Sequence, residues 1–133
     1  MTKILVVDDD ARILRSLDRL LTGEGYEVET AADGFIALKM FEERAADLVI
    51  TDINMPGMDG IEVITALQGL RSDVPVIAIS AGGLLPSEVL LQNADMLGAI
   101  SSISKPFDVD TLLEAVSRAL VGEPSTDDRE TMR

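Results

Sequence analysis

The sequence predicts an α/β domain built on a parallel sheet, and three observations carry that expectation. Apolar runs of strand length alternate with segments of helical periodicity through residue 121. The runs Lys3-Ile4-Leu5-Val6-Val7 and Leu48-Val49-Ile50 are apolar without alternation, as strands buried on both faces are. Four runs stop at a polar or charged residue, at Asp8, Asp52, Ser80 and Lys105. In open parallel sheets ligands bind outside the carboxyl ends of the strands.

The elements follow in order. Lys3–Val7 is the first expected strand. Ala11–Thr22 is a helix with Ile13, Leu14, Leu17, Leu20 and Leu21 in one stripe, ended by Gly23 and Gly25. Tyr26–Ala31 is a strand. Gly34–Arg44 is a helix with Ala37, Leu38 and Phe41 facing inward. Leu48–Thr51 is the central strand, and the turn residues Met55-Pro56-Gly57-Met58-Asp59-Gly60 follow it. Gly60–Leu70 is a helix with Val63, Ile64 and Leu67 inside. Val76–Ile79 is the fourth strand. Pro86–Leu97 is a fourth helix with Pro86 in its first turn. Ser101–Ser104 is a fifth strand. Asp108–Val121 is the last helix, with Val109, Leu112, Leu113, Val116 and Leu120 at helical spacing. After Gly122 the apolar stripe stops. Residues 1–121 are expected to form one domain, and 122–133 a flexible tail or the start of a linker.

Composition excludes whole classes of chemistry. With no cysteine and no histidine, the chain has no disulfide, no thiolate or imidazole metal site and no Ser-His-Asp catalysis. A formal net charge of −13 argues against nucleic-acid binding and favours basic or metal-bridged protein partners. No apolar run reaches the length of a membrane span, and no signal peptide precedes the first strand.

Asp52 alone reads equally as a ligand-facing carboxylate or as a loop acid capping the next helix. A second acidic cluster, Asp8-Asp9-Asp10, ends the first strand. In a doubly wound sheet the first and third strands are neighbours, so the two acidic ends can meet. Carboxylates gathered in one cleft repel unless a cation sits among them, and hard oxygen ligands suit Mg²⁺. Ser80-Ala81 adds a small hydroxyl donor, and Lys105-Pro106-Phe107 a point charge suited to a phosphate. Asp10 reads more often as a helix cap than as a ligand. Met55 and Met58 read as loop packing, and Asp59 as a cap for the following helix.

The set Val7-Asp8-Asp9, Asp52, Met55-Pro56-Gly57-Met58-Asp59-Gly60, Ser80-Ala81 and Lys105-Pro106-Phe107 resembles the receiver domain of two-component response regulators, over Thr2 to about Val121. The resemblance implies a flavodoxin-like (βα)5 fold with strand order 2-1-3-4-5. It implies a signalling domain rather than an enzyme, with only self-phosphorylation and autodephosphorylation chemistry. Asp52 would be the phosphoacceptor. Asp9, Asp52 and the backbone carbonyl of Asn54 would hold Mg²⁺, with Asp8 acting through a coordinated water. Lys105 would pair with Asp52 before transfer and with a phosphoryl oxygen after it, Ser80 would donate to another, and Lys105-Pro106 would be cis. The implied partners are a sensor histidine kinase or histidine phosphotransfer protein and a downstream target or output domain. A homodimer through the fourth helix, fifth strand and fifth helix is implied too, as is a cytoplasmic location.

Two departures accompany the resemblance. The aromatic common three residues before the lysine is replaced by Ser102, so signalling is expected to run through Gly82-Gly83 instead. The connection Gly82-Gly83-Leu84-Leu85-Pro86 is long, and with Val89, Leu90 and Ile100 it is expected to form an apolar output face. Competing readings are a degenerate receiver that docks partners without phosphorylation, an aspartate-nucleophile phosphohydrolase and a nucleotide-binding domain. Phosphohydrolases need an Asp where Asn54 stands, and nucleotide folds need a glycine motif where Asp8-Asp9-Asp10 stands.

Overall fold

Every residue of β1 (Lys3–Val7), β3 (Leu48–Asp52) and β4 (Val76–Ser80) is buried, because helices cover both sides of these strands. The computed structural model describes residues 1–53, 55, 60–71, 73–80 and 101–121. With β2 (Glu27–Ala31) and β5 (Ser101–Ser104) the strands form one parallel sheet in the order β2-β1-β3-β4-β5.

Side-chain alternation splits the core into two layers. Leu5, Val7, Val49, Val76 and Ala78 pack against α2 (Gly34–Glu43) and α3 (Gly60–Leu70), through Ala37, Phe41, Val63, Ile64 and Leu67. Ile4, Val6, Leu48, Ile50, Ile77 and Ile79 pack on the opposite side. There they meet Leu17 and Leu21 of α1 (Ala11–Gly23) and Leu112, Ala115 and Val116 of the C-terminal helix (Val109–Leu120). The expected inward stripes of α1, α2 and α3 all reach these layers. Val109 does not: it is 52% exposed in the first turn of the last helix.

The element ends differ from expectation by single residues, each for a local reason. Tyr26 is outside β2 because its N–H closes the end of α1 on the Leu21 carbonyl. Arg44 is the extended C-cap of α2, and Asp108 and Val121 cap the C-terminal helix instead of belonging to it. β3 gains Asp52 through pairing with Ile79, and β4 gains Ser80 through pairing with Ser104. Helix α1 runs one residue further, to Gly23. The expected helix at Pro86–Leu97, the Gly82–Pro86 connection, Leu84, Leu85, Val89, Leu90 and Ile100, and the tail from Gly122 lie outside the described residues, as do Asn54, Met58 and Asp59.

Candidate functional site

The register of the sheet builds the site. Val7 pairs with Thr51, so Asp8 and Asp52 emerge side by side from adjacent strands. Asp52 pairs with Ile79, and Ser80 with Ser104, so Lys105 follows one place beyond. The Lys105 N–H donates to the Ser80 carbonyl at 2.7 Å, which ties the two strand ends together. The Lys105–Pro106 peptide is cis.

The ligand oxygens of Asp8, Asp9 and Asp52 all lie within 4.8 Å of one another. Asp8 and Asp52 are 2% and 4% exposed, whereas Asp9 faces solvent. Two unit charges at that separation repel by on the order of 3 kcal/mol at an effective dielectric near 20. Lys105 offsets part of this. Its Nζ sits 3.0 Å from Asp8 Oδ2 and 3.8 Å from Asp52 Oδ2. The ammonium is therefore closer to Asp8 than to Asp52, although the resemblance pairs it with Asp52. Asp8 is fixed on its other oxygen too, where Oδ1 accepts from the Asp10 N–H at 2.8 Å.

One positive charge set against three negative ones suits a divalent cation. An octahedral Mg²⁺ shell with metal–oxygen distances of about 2.0–2.1 Å spaces its oxygens roughly 3–4 Å apart. Three carboxylate oxygens already within 4.8 Å of one another lie near that spacing, so the residues present fit the ion.

The neighbouring residues have structural work. Asp10 caps α1, its Oδ1 accepting from the Arg12 N–H at 2.9 Å. The Arg12 side chain, hydrogen-bonded to both Asp10 oxygens, holds that carboxyl below its ordinary range, and the Arg12 N–H bond adds to the effect. Ser80 is fully buried at the end of β4. Met55 is 7% exposed and packs in the α2–α3 layer. Ser102 is half-buried on β5. One supporting contact had no signal in the sequence: the Ala31 carbonyl accepts from the Asp8 N–H at 3.1 Å, so the end of β2 holds the acid of β1 in place.

No helix among the described residues is long and apolar enough to cross a membrane. Residues 4–117 match the response regulator receiver domain. The chain is 39% identical over 127 residues to the transcriptional regulatory protein GlrR of Escherichia coli (strain K12), covering 95% of this chain and 28% of that protein. It is 37% identical over 118 residues to sporulation initiation phosphotransferase F of Bacillus subtilis (strain 168), covering 89% of this chain and 93% of that protein. The solution structure of the beryllofluoride-activated NtrC4 receiver domain dimer superposes with a TM-score of 0.84 at 32% identity, over 91% of this chain and 98% of that one. With a five-stranded parallel sheet in the order 2-1-3-4-5 and an acidic cluster at its carboxyl end, the chain belongs to the response regulator receiver domain family.

Proposed function

We propose that Asp52 accepts a phosphoryl group from a phosphohistidine on a sensor kinase or histidine phosphotransfer protein, in a Mg²⁺-dependent reaction. The observation that carries this reading is the meeting of Asp8, Asp9 and Asp52 within 4.8 Å, with the Lys105 ammonium beside two of them. An Asp52 carboxylate oxygen attacks phosphorus as the bond to the donor nitrogen breaks. The bond pair leaves on that nitrogen, which takes a proton from solvent, and Asp52 becomes an acyl phosphate.

Asp9, Asp52 and the Asn54 carbonyl are the proposed direct ligands of the ion. Asp8 acts through a water, which suits a carboxylate already holding two protein donors. Bound Mg²⁺ supplies screening between the carboxylates and the incoming phosphoryl oxygens. Lys105 has three N–H donors, so it can keep Asp8 and take a phosphoryl oxygen on Asp52. Ser80, at the end of the strand next to β3, donates its hydroxyl to another.

The modification then alters contacts with a downstream protein or output domain, through the face of the expected fourth helix, β5 and the C-terminal helix. The chain spans 28% of GlrR, a transcriptional regulatory protein, so an output domain joined to such a receiver is consistent with the proposal. NtrC4's receiver forms a dimer in its beryllofluoride-activated state, which supports self-association as one form of output.

Incubation with acetyl phosphate and Mg²⁺ should add one phosphoryl group to the intact mass. Asp52→Asn should abolish the addition, and chelation of the metal should suppress it. Undiminished labelling of Asp52→Asn would contradict the assignment.

A further inference from the structure

Among the described residues five polar or charged side chains are buried: Lys3, Asp8, Thr51, Asp52 and Ser80. Asp8, Asp52 and Ser80 belong to the site. Lys3 lies at the opposite end of β1, paired with Glu29 at 2.8 Å and donating to the Arg44 carbonyl at 3.1 Å. Thr51 has a different setting. It is fully buried directly before Asp52 in β3, and its register partners are Val7 and Ala78, both in the α2–α3 layer. Val49, two residues earlier on the same side of the strand, packs in that layer as well. An apolar side chain suits such a position, since a buried hydroxyl costs free energy unless it is hydrogen-bonded.

The Thr51 hydroxyl donates to the main-chain carbonyl of Asp52 at 3.1 Å. The other end of the same peptide is held too, because the Ile53 N–H donates to the Ile79 carbonyl at 2.8 Å. In a trans peptide the N–H and C=O point in opposite directions, so this carbonyl points away from β4, to the side of β1. There the last strand pair is Val7 with Thr51, and Asp52 stands one place beyond it. The hydroxyl supplies a donor where the β1 ladder has ended. The peptide that follows Asp52 is therefore held on both sides, and its plane sets the backbone from which the Asp52 carboxylate projects.

We infer that Thr51 is a positioning residue for phosphoryl transfer to Asp52, an inference that rests on the reading of Asp52 as the phosphoacceptor. Fully buried, the hydroxyl acts through the main chain of Asp52. With its hydrogen bond made, the carboxylate oxygen is held in line with the incoming phosphorus. Without it, the peptide can rock about the bond from Ile53 to Ile79, and the carboxylate spends less time in the attacking geometry. Binding of a small phosphoryl donor is then little affected, whereas the rate of the transfer step falls.

Phosphorylation by acetyl phosphate at saturating Mg²⁺, followed by intact mass and located by peptide mapping, tests this role. Thr51→Val removes the hydroxyl and keeps the shape of the side chain. Thr51→Ser keeps the hydroxyl and removes the methyl. Thr51→Val should lower the maximal rate roughly three- to tenfold, the worth of one hydrogen bond, with little change in the acetyl phosphate concentration for half-maximal rate. Thr51→Ser should keep a rate near wild type, although the lost methyl leaves a gap and lowers the melting temperature. Without donor or metal, the Ile53 amide should exchange with solvent faster, relative to its strand neighbours, in Thr51→Val than in Thr51→Ser. A hydroxyl that served stability alone would give rates that follow the melting temperatures. The inference fails, with Asp52 still the acceptor, if Thr51→Val matches wild type, if Thr51→Ser is as slow as Thr51→Val, or if Ile53 exchange is equal in both. A wild type that takes its phosphoryl group elsewhere would overturn the reading beneath it, and the inference with it.

Discussion

Asp8 is held at three points before any ligand arrives: by the Ala31 carbonyl, the Asp10 N–H and the Lys105 ammonium. Lys105 thus offsets part of the repulsion within the acidic cluster. Lys105→Ala should lower stability by roughly 1.5–3 kcal/mol, the usual worth of a hydrogen bond to a charged group, read from the urea midpoint at neutral pH. An unchanged midpoint would mean that the carboxylates need no such partner. A second expectation concerns acid. The hydrogen bond from the Thr111 side chain, then that from its N–H, holds the Asp108 carboxyl below its ordinary value of 3.8. A lowered carboxyl contributes stability that is present above the unfolded value and lost as pH falls through the folded one. Asp108→Asn should therefore flatten the loss of melting temperature between about pH 4 and pH 2. An equally steep loss in the variant would remove Asp108 as a source of it.

At the scale of elements, the end of α1 shows how much the sequence displayed. Gly23 and Gly25 mark a helix end, and the structure divides their roles. The Gly25 N–H donates to the Thr22 carbonyl at 3.0 Å and the Tyr26 N–H to the Leu21 carbonyl at 3.2 Å, the paired bonds of a Schellman cap. Gly25 has φ 97°, whereas Gly23 is helical, and an added Cβ meets nothing within 4 Å at either. The two substitutions should therefore have opposite signs. Gly25→Ala should cost about 1–2 kcal/mol through backbone strain, and Gly23→Ala should be neutral or stabilise by up to about 1 kcal/mol, both from thermal melts. The strands were legible because burial on both faces leaves unbroken apolar runs. Tyr26 was misplaced because a capping N–H leaves no hydrophobic trace. Strand order was not legible from periodicity at all; it came from the resemblance, since alternation shows that a strand is buried but not what lies beside it. The site residues stood out as polar ends of apolar runs. The closer pairing of Lys105 with Asp8 did not, because it joins positions 97 apart through sheet register.

For the molecule as a whole, charge sets the terms. Three carboxylates converge in a chain of net charge −13, and Lys105 offsets part of their repulsion. Mg²⁺ should raise the melting temperature, with a stabilisation of about 1.4 kcal/mol at tenfold excess over its dissociation constant. Asp9→Ala should remove most of that rise, and no rise at millimolar Mg²⁺ would count against the ion site. The central claim is narrower: one carboxylate, Asp52, carries the phosphoryl group. Borohydride reduces an aspartyl phosphate to homoserine, so reduction after acetyl phosphate treatment followed by peptide sequencing reads the position directly. Homoserine at position 52 alone is the predicted result; homoserine at position 8 or 9, or none at 52, would contradict it.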